Sequence, residues 1–176
     1  QFYGRMGKSG PMANERREVP GIRSTERNKT MAATVTVKTT ADLLREVYRN
    51  VKMAEDSIIN LMPKVKDEKL KSAMTVQLST YEAFASRASK LLGEEGVKPE
   101  DESMFTKMSA KWGILVNTLK DSSTPHLIQM MLEGTNMGVG ELLRLIRESE
   151  NSGVSEASLR LARDVCAFEE KSVEDL

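Results

Sequence analysis

The chain has 176 residues, of which 39% are hydrophobic and 30% are charged, and its formal net charge is zero. This size and composition are those of a single globular domain with a buried core. The balanced charge gives no reason to expect nucleic acid or an acidic membrane as partner, and no apolar run reaches the ~18 residues of a membrane span.

Residues 1–30 differ from the rest of the chain. They carry more arginine and lysine than glutamate, show no helical period and contain few large apolar side chains. Such a segment cannot form a core. We therefore predict a flexible or non-native tail over residues 1–30 and one domain over residues 31–176, with a short extended lead-in at residues 33–38.

Two long helices are predicted next, over residues 40–62 and residues 67–92. In each of them apolar residues recur at spacings of three and four, which is the period of an amphipathic helix. Thr39 or Thr40 can cap the first helix, and Pro63 ends it. The short link between the two helices predicts an antiparallel hairpin.

The second half of the chain repeats this plan after a polar, turn-rich link. Apolar residues indicate a shorter helix over residues 101–120, followed by long helices over residues 125–148 and residues 155–175. Thr124 can cap the first of these long helices, with Pro125 at its first position. Two hairpins joined by a long connection predict an all-α, ferritin-like antiparallel four-helix bundle with an additional crossover helix.

Counting residues outward from each hairpin turn places one glutamate of every long helix at a common level. These four residues are Glu46, Glu82, Glu133 and Glu169. Four carboxylates on four helices form the acidic half of a dinuclear iron or manganese site. The other half is Glu-x-x-His on two helices, but positions 85 and 172 hold alanine and serine. The only histidine, His126, lies seven residues and so about 10 Å along the axis from Glu133.

The angular positions weaken the case for a metal site. At about 100° per residue, Glu46, Glu82 and Glu133 fall to the side of their apolar stripes, while Glu169 lies near a stripe edge. Glu55 lies closer to a core face at another level. We expect these glutamates to be solvated or ion-paired between helices, and a carboxylate-only site for a hard cation is the alternative.

Neither the cysteine nor the histidine points to catalysis. Cys166 is the only cysteine, so no intrachain disulfide can form, and it is expected to be a small buried side chain. His126 is expected to make a local hydrogen bond at a helix start. No nucleophile is paired with a base and an orienting group, so the chain is predicted not to be an enzyme.

A pair of glycines on the third long helix predicts a close helix contact. Gly134 and Gly138 are one turn apart, which lets another element approach the backbone. In a helical bundle this spacing is typical of tight packing beneath a large side chain such as Trp112 or Tyr81.

Three segments, residues 61–68, 117–138 and 161–170, resemble small ferritin-like proteins of clostridial-type bacteria. The resemblance covers residues 38–176. It implies a ferritin-like fold in a bacterial protein and brings no assigned activity with it. By analogy with rubrerythrins and ferritins, it implies metal-ligand positions at Glu82, Glu133 and Glu169, with Glu46 as a fourth.

The resulting expectation is a non-enzymatic, cytoplasmic protein with a structural or interaction role. It is expected to self-associate through an apolar helix face, as a homodimer or another homo-oligomer, without nucleic acid, membrane or cofactor. The absence of a secretory signal and of cysteine pairs favours the cytoplasm. The alternative is a carboxylate-rich iron or manganese protein with a degenerate di-metal site.

Overall fold

A computed structural model of the chain describes Val37, residues 39–99, residues 118–176, and Ala110, Gly113, Ile114 and Val116 between them. The tail predicted over residues 1–30 and most of the extended lead-in lie outside these residues. Within the described residues there is no strand, and the four long helices are α1 (Thr40–Leu61), α2 (Glu68–Glu94), α3 (Thr124–Ser149) and α4 (Glu156–Glu174). The predicted all-α class is therefore confirmed.

The helix boundaries follow the predicted ones closely. A short 3-10 helix, Met62–Lys64, follows α1 and contains the proline predicted to end that helix. Between α2 and α3, where a shorter helix was predicted over residues 101–120, Ala110, Gly113, Ile114 and Val116 are helical. Residues 118–120 are not helical, so the predicted end of that helix was too late, and its start lies outside the described residues.

Side chains cap the starts of α1 and α4. The Asp42 backbone N–H donates to Thr39 Oγ1 at 3.1 Å, and the Thr39 N–H donates to Asp42 Oδ2 at 3.0 Å. This reciprocal pair satisfies two backbone donors that a helix start leaves open. At α4 the Ser158 N–H donates to Ser155 Oγ at 3.3 Å. Thr39 is thus confirmed as the predicted cap of α1, and Ser155 caps α4.

The prediction that Thr124 caps the third long helix was wrong. Thr124 is already helical, and Ser123 holds the extended backbone of the N-cap, with φ -63° and ψ 147°. The Ser123 N–H donates to Asp121 Oδ1 at 2.8 Å. This turn fixes the chain just before the helix and moves the start back by one residue.

Contacts between helices define their directions. The Ser155 N–H at the start of α4 donates to Thr40 Oγ1 at the start of α1, at 2.9 Å, so α1 and α4 begin at the same end. Along α2, Tyr81 meets Glu169 and Arg87 meets Asp164, so α2 runs antiparallel to α4.

The pairing of helices explains the length of the central link. α1 packs on α2, α3 and α4, and α4 also packs on α2 and α3. The short links make α1–α2 and α3–α4 antiparallel hairpins, so α2 and α3 both run opposite to α1 and α4. α2 therefore ends at the opposite end of the helices from the start of α3, and the central link has to span that distance.

The core is apolar and is shared by all four helices. Its largest fully buried apolar side chains are Leu43, Leu44, Val47, Val51, Leu61, Met74, Leu92, Leu127, Leu142, Leu145 and Leu161. Polar residues also reach the interior, and they are Glu46, Glu55, Gln77, Ser149, Ser158, Glu169 and Ser172. None of the described helices combines the length and apolarity needed to cross a membrane.

Candidate functional site

Glu169 occupies the interior where α2, α3 and α4 meet. It is 1% exposed, and the Tyr81 hydroxyl lies 3.5 Å from its Oε1, in position to donate. The Tyr81 ring packs edge-on against Phe168 with their centroids 5.1 Å apart. Glu169 follows Val165 by four residues on α4, so the helical period carries the carboxyl onto the face that faces the core.

Gly138 on α3 faces the same carboxyl without a side chain between them. A Cβ at position 138 would lie 2.6 Å from Glu169 Oε2 and 3.2 Å from its Cδ. Two non-bonded atoms cannot approach that closely, so a side chain at position 138 would displace the Glu169 carboxyl or the helices around it. The carboxyl of Glu169 fills the space that a side chain on α3 would otherwise take.

The close contact predicted from the two glycines is thus found at Gly138, with a different neighbour. The backbone at that position meets a carboxyl rather than Tyr81, and Trp112 lies outside the described residues. At Gly134 a Cβ would meet no atom within 4 Å. Only one of the two glycines therefore serves the packing.

Asn50 brings α1 into this level of the protein. Its Nδ2 donates to the Gly138 carbonyl oxygen at 3.3 Å. Asn50 Oδ1 and Glu169 Oε2 are both buried and have no hydrogen-bond partner among the described residues. Asn50, Tyr81, Gly138 and Glu169 come one from each helix, and we call them the polar layer.

Burial sets the protonation state of the polar layer. Loss of water raises the pKa of Glu169 to about 8, against a smaller lowering by the Tyr81 hydrogen bond. No lysine or arginine in the described part of the chain pairs with this carboxyl to offset the cost of burying a charge. Burial and the neighbouring Glu169 also raise the pKa of Tyr81 far above its usual range. Both shifts favour the neutral forms of Glu169 and Tyr81.

The predicted metal ligands do not converge on the polar layer. Glu82 directly follows Tyr81 but is exposed. Glu133 is also exposed, and its Oε1 accepts a hydrogen bond from Gln129 Nε2 at 2.9 Å. Of the three residues given as ligands, only Glu169 lies in the interior.

The residues of α1 and α3 that lie in the polar layer also differ from the predicted ones. The layer contains Asn50 and Gly138, so Glu46 lies about 6 Å from it along α1 and Glu133 about 7.5 Å from it along α3. Because α1 and α3 are antiparallel and both glutamates precede the layer, these offsets point to opposite ends. Counting from each turn aligned α2 with α4 but not α1 with α3.

Glu46 is more deeply buried than its angular position predicted. It is 6% exposed and pairs with Arg49 on the same helix. The expectation that it lies beside the buried face was wrong, because α1 packs against three other helices and buries a wider face than one stripe. The Glu46 carboxylate, which was expected as the fourth metal ligand, is therefore paired with the guanidinium of Arg49.

Glu55 is the second deeply buried carboxyl of α1, as its position near the core face predicted. It is 3% exposed and accepts a hydrogen bond from Lys52. Burial raises its pKa, Lys52 opposes this, and the charge of Glu82 raises it further. Glu55 Oε1 has no hydrogen-bond partner among the described residues.

The described residues contain no group of three or more histidine, cysteine, aspartate or glutamate side chains placed to hold a metal ion. The four carboxylates expected as ligands do not fit a dinuclear site, because two face solvent and one is paired with an arginine.

Cys166 and His126 are placed outside any catalytic arrangement. Cys166 is buried as predicted, and burial, with the charges of Glu170 and Glu169, raises the pKa of its thiol to about 11. His126 is half-buried in the first turn of α3. The local hydrogen bond expected for His126 is not formed with any described residue.

A shallow open groove lies between the end of α2 and the start of α4. Its volume is about 390 Å³, and charged side chains of both helices line it. Sequence reasoning missed it, because it depends on which faces of α2 and α4 meet. A signal was present in the four-residue spacing of opposite charges on each of those helices.

Comparisons of the chain with protein-family models, with curated proteins and with solved structures found no match.

Proposed function

We propose that this chain is a non-enzymatic, ferritin-like four-helix bundle that works by self-association through a helix face. The observation that carries the proposal is the closed interior of the polar layer. Glu169 Oε2 lies where a side chain at Gly138 would be, so the carboxyl meets backbone directly. Ligand and cofactor sites are concave and need room. A surface role fits this packing better than an interior binding site does.

Helix directions support the ferritin-like part of the proposal. α1 and α4 run one way and α2 and α3 the other, so the two hairpins are joined by one long connection. That is the ferritin-like connectivity among four-helix bundles. The helical state of Ala110, Gly113, Ile114 and Val116 in this connection supports a crossover helix.

Apolar surface on the outer faces supports the association part. Large apolar side chains are more than half exposed on α1, α2, the connection and α3, and they are Ile59, Val76, Ile114 and Met137. Burying such surface contributes about 25 cal/mol per Å². Single exposed apolar residues are common, so they add to the proposal without identifying one face.

Self-association is tested by measuring molar mass against concentration. Sedimentation velocity and light scattering on the full chain, from low micromolar to several hundred micromolar, should give a mass that rises toward twice that of the monomer. A mass that stays monomeric over this whole range overturns the proposal.

The alternative role as an iron or manganese protein is tested separately. Anaerobic titration with ferrous iron and with manganese, followed by metal analysis, measures binding directly. Stoichiometric binding that disappears in both Glu133→Ala and Glu169→Ala would favour the metal role over the one proposed here. The positions of Glu82 and Glu133 on the surface lead us to expect no such loss.

A further inference from the structure

The groove between α2 and α4 has a definite order of charges along its length. Nearest the helix ends lie Glu94 on α2 and Glu156 on α4. One turn further in lie Lys90 on α2 and Arg160 on α4. Both helices therefore present an acidic side chain at the end and a basic one about 6 Å inward.

Most of these charges have no ion-pair partner among the residues that the structure describes. Lys90, Glu94 and Arg160 form no ion pair with any residue that the structure describes. Glu156 lies 3.6 Å from Arg163, in a pair that is largely exposed to solvent. By contrast Arg87, at the inner end of the groove, pairs with Asp164 across the two helices at 2.9 Å. The free charges are thus confined to the outer two turns.

The middle of this charge pattern is apolar. Leu91 and Ala157 line the groove between the acidic and the basic turn. Leu91 is half-buried and packs on the core, and Ala157 is exposed. A small apolar centre flanked by charges has the composition of a protein-protein contact.

We propose that a second copy of this chain docks on this groove, across a two-fold axis that crosses α2 and α4 at the level of Leu91 and Ala157. The inference rests on the self-association proposed above and names the face that carries it. Rotation about such an axis turns the outer end of one groove onto the inner end of the other. α2 then runs antiparallel to the α2 of the second copy, as does α4.

This register matches opposite charges on both helices. Lys90 faces Glu94 of the partner subunit, and Arg160 faces Glu156 of the partner subunit. Because the interface is isologous, each pair occurs twice, which gives four ion pairs around the apolar centre. A two-fold axis parallel to the helices would instead place Lys90 against Arg160 of the partner subunit and Glu94 against Glu156 of the partner subunit, and repulsion disfavours that register.

The same charges argue against an anionic occupant. A phosphate or an acidic peptide would be attracted by Lys90 and Arg160 but would meet Glu94 and Glu156 at the mouth of the groove. Alternating charge is complementary to itself and to little else, which favours a copy of the same chain. The contact is small beside the ~800 Å² per partner of a stable interface, so the dimer is expected to be weak and sensitive to salt.

Disulfide trapping tests the position of the axis. A residue on the axis lies next to its own copy, within the roughly 4.4–6.8 Å between Cα atoms that a disulfide needs. Ala157→Cys and Leu91→Cys should therefore give covalent dimers under mild oxidation. Val76→Cys, exposed on α2 away from the groove, is the matched control, and the native Cys166 is buried. Equal yields of dimer from Ala157→Cys and Val76→Cys overturn the proposed axis.

Charge reversal tests the register independently of any cysteine. The double variant Lys90→Glu with Arg160→Glu makes the outer two turns of the groove acidic and should weaken dimerisation at least tenfold. Adding Glu94→Lys and Glu156→Lys restores an alternating pattern of opposite sign, and the dissociation constant should return to within about threefold of the parent. Circular dichroism confirms that each variant is folded.

The outcomes separate this inference from the proposed function. If the parent chain is monomeric at every concentration, self-association itself fails. If the parent dimerises and the double variant dimerises equally well, the chain associates through another face and only the present inference fails. Saturable binding of inorganic phosphate that is lost in the double variant, with a monomeric parent, assigns the groove to an anion and overturns both.

Discussion

Two buried carboxyls of this protein, Glu55 and Glu169, are held in opposite ways. Glu55 lies on α1 and accepts a hydrogen bond from Lys52, three residues earlier on the same helix. Glu169 lies on α4 among side chains of other helices, and its contacts are the Tyr81 hydroxyl and the backbone of Gly138. Each keeps one oxygen without a partner among the described residues.

The difference between these carboxyls is one of charge balance. A cation one turn away offsets part of the cost of burying Glu55, whereas Glu169 has no such cation and avoids the cost by holding its proton. A neutral carboxylic acid can donate as well as accept. The stability of the region around Glu169 therefore depends on pH and on close packing. The stability of the region around Glu55 depends on Lys52.

The largest expected effect is a dependence of the free energy of unfolding on pH that comes from Glu169. The pKa of Glu169 is about 8 in the folded protein and about 4.5 in the unfolded chain. Its contribution to stability is therefore fully present below the unfolded pKa and is lost as pH rises toward about 8. The loss is roughly 1.4 kcal/mol per pH unit, or on the order of 4 kcal/mol between about pH 5 and about pH 8.

Urea unfolding of the parent and of Glu169→Gln over this pH range measures the effect. The variant cannot ionise at this position, so the difference in unfolding free energy between the two proteins should change with pH by that amount. Curves that stay parallel across the range would show that Glu169 is ionised in the folded protein.

The next effect tests the fit at the polar layer. Gly138→Ala places a Cβ 2.6 Å from Glu169 Oε2, so the buried carboxyl or the helices around it must shift. Such overpacking costs about 1–3 kcal/mol of unfolding free energy. Gly134→Ala is the matched control, because nothing lies within 4 Å of its Cβ and alanine is the better helix former.

The clash at Gly138 predicts a specific coupling as well. Combining Gly138→Ala with Glu169→Ala removes the carboxyl that the new methyl group meets. The two free-energy changes should then be non-additive by about 1 kcal/mol or more. Simple additivity would place the cost of Gly138→Ala elsewhere than at this contact.

A third prediction addresses the cation of Glu55. Lys52→Met keeps the aliphatic length of the side chain and removes the charge, leaving a buried carboxylate without its donor. The expected cost is about 1–3 kcal/mol at pH 7, measured by urea unfolding. Adding Glu55→Gln should recover part of this cost, since no charge is then left buried. No recovery would mean that Lys52 acts through packing alone.

The smallest effect is expected at a solvent-exposed ion pair between α2 and α4, the helices that carry Tyr81 and Glu169. Arg87 and Asp164 form an ion pair at 2.9 Å, with both side chains roughly half exposed. Exposed pairs contribute about 0.2–1 kcal/mol. Asp164→Asn should therefore shift the unfolding free energy by less than about 0.5 kcal/mol. A larger loss than that of Lys52→Met would reverse the order proposed here.

Helical periodicity predicted the elements because it is a local property of the sequence. α1, α2, α3 and α4 begin and end within about two residues of their predicted bounds, and Pro63 falls where the first helix was expected to end. The one-residue error at Thr124 came from a turn at Asp121, which depends on side-chain hydrogen bonding rather than on period.

The site was less predictable because it depends on how helices align with one another. Counting from the turns placed Glu82 at the level of Glu169, and the residue that contacts Glu169 is Tyr81, the neighbour of Glu82 in the sequence. The same counting missed Asn50 and Gly138, since the axial offset between hairpins is set by packing. Gly138 gave a sequence signal for a close contact on α3, and the pattern could not say that a carboxyl would face it.

The bond between Ser155 and Thr40 also bears on the order of folding. It joins residues 115 apart in the sequence, whereas each helical hairpin is closed by a link of a few residues. Closing a longer loop costs more chain entropy, and non-local contacts form more slowly. We therefore expect the hairpins to form first and the joining of their two ends to be among the last steps. Mutation of Thr40 would then speed unfolding more than it slows folding.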